Sequence, residues 1–321
     1  MVKNDRLVWA DVTRGLAIFL VLFVHTAVFP AKAGIANPIT LTLLSISRLG
    51  VPLFVLLSGS LLLVKSESYG VFVKKRISRL VKPWFFWSVI ITLDQMIIFH
   101  RPVNNLAGLL ALFRSIFVPV WFVPMLLGLY LLTPALRILV KNAGQIDVFL
   151  ICLWWFGGLS ILPFLRNTAA FPMVSDNGIV RQVVQFSGYF LGGWWLSKAS
   201  RKVHKFFWAA GIAGWILTLY KSNADLNFLN YLAPGVVLMA GGGFSGLLTL
   251  GPYLSGKINS GIKNVLALIS QTTLGIYFVH PLILQTRLIP EGLFGTGLLF
   301  LISFGVIYGL QKIAPIRSWV A

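Results

Sequence analysis

The chain has 321 residues, of which 57% are hydrophobic and 11% charged, and its mean hydropathy is +0.86. This composition excludes an ordinary soluble domain and indicates a polytopic membrane protein. The net charge of +19 is carried mostly by short Lys and Arg clusters between apolar runs, not by a basic stripe among stacking aromatics, so we expect no nucleic-acid partner. The single cysteine, Cys152, excludes a disulfide framework, a cysteine-based zinc site and an iron–sulfur cluster within one chain.

The first apolar run, residues 7–30, is long enough to span a bilayer, yet it carries Asp11, Arg14 and His25. It lacks a small-residue cleavage site, so we interpret it as a retained span and not a signal peptide. Arg14 and His25 are eleven residues apart, which is three helical turns plus about 20°, so they share a face roughly 16 Å apart. Asp11 joins that face one turn lower. Polar groups inside a span usually face protein or water, which favours a polar line across the membrane. The alternative is a single interfacial Asp11–Arg14 pair with an ordinary histidine above it.

Hydropathy predicts an all-α bundle of about ten transmembrane helices in a single domain over residues 1–321. With the N-terminus in the cytoplasm, 18 of the 27 Lys and Arg residues fall on the inner side and seven on the outer, and Arg14 and Arg48 lie within spans. This bias predicts that both termini are cytoplasmic. The predicted spans are 7–30, 41–64, 83–100, 119–136, 147–164, 182–197, 206–220, 229–250, 264–286 and 293–311.

The second span carries Arg48 in its outer half and Ser58, Gly59 and Ser60 in its inner half. An intramembrane arginine needs a partner, and Asp94 of the third span lies at a similar outer depth, so we expect the two to be close. The small residues 58–60 have two interpretations, a close helix contact or a ligand-binding role. The inner loop 65–82 that follows holds Lys74, Lys75 and Arg76, and it serves either topology alone or contact with a polyanionic cytosolic ligand.

Two later spans add further candidate residues. Trp121 begins the fourth span at the outer face, where an aromatic-belt position is the simpler interpretation. The ninth span places Tyr277 and His280 toward its outer end, and this depth predicts that His280 shares a level with His25. No metal site is predicted, because two histidines with Asp94 have no fixed geometry on separate spans. The chain also lacks a nucleophile elbow, a P-loop and a dinucleotide fingerprint.

Four blocks of the chain, in order, resemble the membrane-bound acyltransferase 3 family, whose members O-acylate bacterial surface polysaccharides. They are a D-x-x-R-G-x-A motif with an Arg-x10-His spacing, SRLGVPLFVLLSGSLL, WFVPMLLGLYLLTP and TLGIYFVHPLIL. In size the chain is similar to members without an appended hydrolase-like domain, such as the type that acts on enterobacterial common antigen. The first block comprises Asp11, Arg14, Gly15, Ala17 and His25.

The resemblance implies a cytoplasmic-membrane enzyme that uses acetyl-CoA as donor substrate, with no tightly bound cofactor, and a glycan or lipid-linked sugar as acceptor. It implies an essential catalytic histidine at His25 and an essential arginine at Arg14. We expect Arg48, Trp121 or His280 to serve the reaction as a donor to the developing oxyanion. We expect the donor to contact the basic loop with its nucleotide and the span interior with its arm, at Asp11, Arg14, Ser58, Tyr277, Lys74, Lys75 and Arg76.

Two questions stay open at this level. The acetyl group can pass directly to the acceptor or through an acetyl-histidine, and the sequence does not separate these routes. The main rival function is an exporter or proton-coupled carrier of a glycan or lipid-linked sugar, in which Asp94 and the histidines relay protons. Carriers more often show interrupted helices and paired repeats, whereas Arg14 and His25 lie on one unbroken predicted helix. The acceptor sugar and the oligomeric state are not predicted.

Overall fold

A computed structural model describes residues 7–32, 37–97, 105–108, 121–166 and 178–320. All the regular structure in these ranges is helical, which confirms the predicted all-α class. The helices are α1 (Val8–Lys32), α2 (Pro38–Ser47), α3 (Gly50–Leu62), α4 (Tyr69–Ile97), α5 (Phe122–Asn142), α6 (Gln145–Phe156), α7 (Leu162–Leu165), α8 (Ile179–Ser197), α9 (Arg201–Ser222), α10 (Pro234–Lys257), α11 (Ser260–Gln285), α12 (Gly292–Leu310) and α13 (Arg317–Val320).

Seven helical segments of the described ranges are long and apolar enough to cross a membrane. Each of the ten predicted spans overlaps a described helix or pair of helices, and residues 98–100 and 119–120 of these spans lie outside the described residues. Helices α4, α8 and α9 do not meet that criterion of length and hydropathy. The count of ten and the orientation of the termini therefore stay predictions. The seven segments are Val8–Ala27, Pro38–Leu62, Phe122–Asn142, Gln145–Leu165, Leu226–Lys257, Ser260–Gln285 and Gly292–Leu310.

Helix α1 is the centre of the bundle. It packs against α2, α3, α10, α11 and α12, and its Ala17, Ile18 and Leu22 are fully buried. A helix surrounded in this way can carry polar residues across a membrane, because those residues face other helices and cavities instead of lipid. Arg14 is half-buried among these helices, whereas His25, on the same face of α1, is exposed.

The predicted second span is two helices, α2 and α3, that meet at Arg48 and Leu49. Pro52 explains the interruption, because proline has no N–H to donate to the carbonyl of residue 48 and its ring crowds that carbonyl. Asn37 caps the start of α2 by accepting a hydrogen bond from the Thr40 amide at 2.8 Å. The regular helix is therefore interrupted at Arg48, within the candidate span Pro38–Leu62.

Helices α3 and α8 make a close contact through glycines. A Cβ atom on Gly59 would lie 1.8 Å from the carbonyl oxygen of Phe190, and one on Gly193 would lie 1.9 Å from that of Leu56. Two helix backbones approach this closely only where the interface residues have no side chain, and small residues are common at helix interfaces in membranes for this reason. The close-contact interpretation of residues 58–60 is therefore correct for Gly59.

We expect Gly193→Ala to lower the free energy of unfolding by about 3 kcal/mol, because the added methyl group collides with backbone that cannot rotate away. The neighbouring Gly192→Ala is a matched control, since its Cβ would meet only Leu56 Cδ2, at 3.8 Å. That control should be neutral or stabilising by up to about 1 kcal/mol, the difference in helix propensity. Unfolding of the two variants in detergent measures the difference, and equal stabilities would contradict the close contact.

Candidate active site

The lower part of the site is a polar cluster near the N-terminal end of α1, on the side predicted to be cytoplasmic, which is called the inner side below. One guanidinium nitrogen of Arg14, Nη1, donates to Asp11 Oδ1 at 3.3 Å and to Ser270 Oγ of α11 at 3.2 Å. Asp11 is buried, whereas the Arg14 side chain is one-third exposed. The predicted Asp11–Arg14 pair is therefore present, and it fixes the arginine between α1 and α11 with part of its surface open.

That open surface faces two adjoining cavities. The inner one, of about 750 Å³, is lined by Arg14 together with Arg76, Arg79 and Arg317. The second, of about 240 Å³, begins at Arg14 and extends along α1 and α11 to Val21 and Tyr277. The two cavities adjoin and are together called the passage; the wall residues they share are Arg14, Arg76, Leu80, Tyr130, Thr273 and Leu274.

The outer end of this passage stops about one helical turn short of two histidines, neither of which lines it. Val21, at its upper limit, is one helical turn below His25 on α1. The rings of His25 and His280 lie 5.0 Å apart between centroids, which confirms the predicted common level. The Tyr277 ring is 6.0 Å from that of His280 and also lines the passage. His25 is exposed and His280 is buried, so His25 is the accessible member of the pair.

The predicted Arg48–Asp94 ion pair is wrong: among the described ion pairs there is none between these residues. Arg48 Nε instead donates to the carbonyl oxygen of Leu229, and its guanidinium lies 4.2 Å from the centroid of the Tyr231 ring. Asp94 accepts a hydrogen bond from its neighbour Gln95 at 3.4 Å. The reason is topological, since α4 packs mainly on α5, α11 and α13, while Arg48 faces the segment that precedes α10.

Trp121 belongs to an aromatic cluster and not to an isolated belt position. Its ring lies 5.5 Å from that of Phe186 on α8 and 5.9 Å from that of Tyr231. The Arg48 guanidinium lies over the Tyr231 ring, so Tyr231 connects Arg48 to the cluster that contains Trp121. Arg48 also lies close enough to His25 to interact with it electrostatically.

The remaining predicted donor contacts divide into two groups. Ser58, Tyr277 and Arg76 line the passage, whereas Lys74 and Lys75 line neither of its two cavities. Lys75 is exposed and instead forms an ion pair with Glu67, 3.4 Å away. Since successive residues on α4 point in different directions, only one member of the Lys74–Arg76 run reaches the passage.

The inner end of the passage also contains Arg79 and Arg317, which were not predicted site residues. Arg79 follows Arg76 by one helical turn, so a search of the same face of α4 would have found it. No sequence pattern near Arg317 predicts its place at the passage, because it reaches the cavity only through the packing of α13 on α4. The buried Val320 anchors α13, since its carbonyl accepts a hydrogen bond from the indole of Trp87 at 3.1 Å.

Positive charges are crowded at this inner end. Lys65, which lines the passage just beyond α3, has a lowered pKa because of desolvation and the nearby charge of Arg76. Arg76 Nε is buried and has no hydrogen-bond partner in the structure. Desolvation disfavours a charge of either sign, but the neighbouring positive charges of Arg76 and Lys65 make the site favour an anion.

Comparison with known protein families gives a match over most of the chain. A family model described as the acyltransferase domain of the acyltransferase 3 family matches residues 7–312. No curated protein and no solved structure matches the chain. The match spans nearly the whole chain, from the start of α1 to just beyond the end of α12. The chain therefore belongs to the acyltransferase 3 family and is a multi-pass membrane protein of the acyltransferase class.

Proposed function

We propose that the protein moves an acetyl group from cytosolic acetyl-CoA to a sugar hydroxyl of a cell-surface or lipid-linked glycan at the outer face of the cytoplasmic membrane. The observation that supports this function best is the pair of adjoining cavities that runs from the arginine-lined inner end to Val21 and Tyr277, next to the histidine pair. A two-sided reaction needs such a path, because its donor and acceptor arrive from opposite sides. The resemblance to the type that acts on enterobacterial common antigen stays a prediction.

The inner cavity suits the nucleotide end of the donor. Coenzyme A carries a diphosphate and a ribose phosphate, and guanidinium groups bind phosphate through paired, charge-assisted hydrogen bonds. Arg76, Arg79 and Arg317 supply three guanidiniums at this cavity, and the buried Nε of Arg76 is an available donor. In this proposal the phosphates stay at the inner end and satisfy these donors.

The narrower cavity suits the arm of the donor. It is lined largely by apolar residues, with hydroxyl groups of Ser58, Tyr130 and Thr273 along its wall. A pantetheine arm is long, thin and carries two amide groups, so it matches a channel with a few hydrogen-bonding groups. The Arg14 to His25 spacing sets the distance to cover at roughly 16 Å.

At the outer end His25 serves as general base. One imidazole nitrogen takes the proton of the sugar hydroxyl while the oxygen attacks the thioester carbonyl carbon. The tetrahedral oxyanion then collapses, the C–S bond breaks, and the imidazolium returns the proton to the departing thiolate. Arg48 is the nearby cation for stabilising the oxyanion, and Trp121 packs in the aromatic cluster that holds it.

The test is transfer from acetyl-CoA to an isolated glycan acceptor by purified protein in proteoliposomes, with donor and acceptor on opposite sides. Arg76→Gln should raise the KM for acetyl-CoA about tenfold or more, because it removes a charged hydrogen-bonding partner. Lys74→Gln is the matched control on the same helix and should change the KM less than twofold. Glycan export without release of free CoA would instead favour the exporter.

A further inference from the structure

The imidazole of His280 is held in one tautomer by its own helix. Its Nδ1 lies 3.2 Å from the carbonyl oxygen of Ile276, and a carbonyl oxygen can only accept a hydrogen bond. Pro281 reinforces this arrangement, because it lacks the N–H that would otherwise bond the carbonyl of Tyr277. That carbonyl is a second backbone partner of the His280 ring. Neutral His280 therefore carries its proton on Nδ1.

The other ring nitrogen is then a lone-pair acceptor without a partner. Nε2 of His280 is buried and makes no hydrogen bond in the structure. Buried polar atoms are nearly always satisfied, so an unpaired acceptor at a candidate active site calls for a functional explanation. The ring beside it is His25, at 5.0 Å between centroids. The other charged or titratable groups near the pair are Arg48 and Tyr277.

We infer that His280 is a positioning residue whose Nε2 accepts a hydrogen bond from protonated His25 during acyl transfer. This inference rests on the proposed function. When His25 takes the proton of the acceptor hydroxyl, both its nitrogens carry hydrogen, and the second N–H needs an acceptor. His280 Nε2 supplies one without taking the proton itself. The proton on the first nitrogen leaves with the thiolate, so His25 and His280 both end the cycle neutral.

The two rings are close enough to form this bond, but their present orientation does not form it. The two rings are tilted by 46° to each other, and no hydrogen bond between them is among the described contacts. A separation of 5.0 Å between centroids accommodates one N–H···N bond of about 2.9 Å once the accessible His25 ring turns. This role differs from the predicted one, since neutral His280 has no proton on Nε2 and cannot donate from that nitrogen to an oxyanion.

Two substitutions separate the two nitrogens of His280. His280→Asn keeps an amide donor near the Nδ1 position, toward Ile276, but leaves nothing at Nε2. His280→Gln can place an amide oxygen near the Nε2 position. We expect the asparagine variant to lose about 10- to 100-fold in kcat, with the KM for acetyl-CoA unchanged within twofold, because one charge-assisted hydrogen bond is lost only when His25 is protonated. The glutamine variant should recover at least a third of the wild-type kcat. Equal kcat for the asparagine variant and the wild type, or equal loss in both variants, would overturn the inference.

A spectroscopic measurement tests the same bond without turnover. In protein labelled with ¹⁵N-histidine, the His280 signals, assigned with His280→Asn, should report hydrogen on Nδ1. On acidification that protonates His25, a coupling across an N–H···N hydrogen bond should join His25 to His280. Hydrogen on Nε2, or protonation of His25 with no coupling, would overturn the inference. Absence of acyl transfer with the coupling present would reject the proposed function and leave the hydrogen bond standing.

Discussion

His25→Ala should reduce acetyl transfer by at least 10²–10⁴-fold, the range that a positioned general base supplies. The substitution removes the accessible member of the histidine pair and leaves the arginine-lined cavity about 16 Å away untouched. The dissociation constant for acetyl-CoA should therefore stay within about twofold of wild type. The loss should appear in kcat, because the imidazole acts on the acceptor hydroxyl in the transition state and not on the bound nucleotide.

The matched control is His204→Asn, because His204 lies at the start of α9 and lines neither cavity of the passage. It should transfer acetyl groups at close to the wild-type rate. Retention of transfer by His25→Ala would remove the histidine from the mechanism. A radiolabelled acetyl group trapped on His25 in the absence of acceptor would favour the two-step route, and a reaction that needs both substrates at once would favour direct transfer.

The parts of the site that lie on one helix could be predicted from the sequence. Helical periodicity alone places Arg14, Asp11 and His25 on one face, and the structure has Arg14 bonded to Asp11 and facing the passage that ends near His25. Depth in the membrane predicts that His25 and His280 share a level, because two helices that both cross the bilayer bring equal depths to equal levels. Those rules need no knowledge of which helices are neighbours.

The parts that depend on neighbours could not be predicted. The similar depth of Arg48 and Asp94 predicts that they are close, but the helices that carry them pack on different partners. Arg48 instead contacts the backbone carbonyl of Leu229 and the aromatic ring of Tyr231, both of which are uncharged. Arg317 joined the passage because the chain folds back after α12. No local pattern encodes such a contact.

We expect the second large loss of acetyl transfer from a substitution that blocks the passage. Ser58 lies on the wall of the 240 Å³ cavity, and its hydroxyl is already bonded to the Phe54 carbonyl of its own helix at 2.8 Å. Ser58→Ala should lower transfer only a few-fold, because it removes one wall hydroxyl, bonded to Phe54 and Tyr130, and leaves the channel open. Ser58→Trp should abolish transfer to an acceptor on the opposite side, because an indole fills a channel of this size where the donor arm would lie.

Binding at the inner cavity distinguishes a blocked passage from a misfolded protein. Arg76, Arg79 and Arg317 are unchanged in Ser58→Trp, so CoA should still bind through its phosphates, with an affinity lower only by the contribution of the arm. We would measure CoA binding and transfer side by side across Ser58→Ala, Ser58→Leu and Ser58→Trp. A graded loss of transfer with binding retained is the expected result. Full transfer by Ser58→Trp would show that the acetyl group crosses the membrane by another route, even if the histidine pair were catalytic.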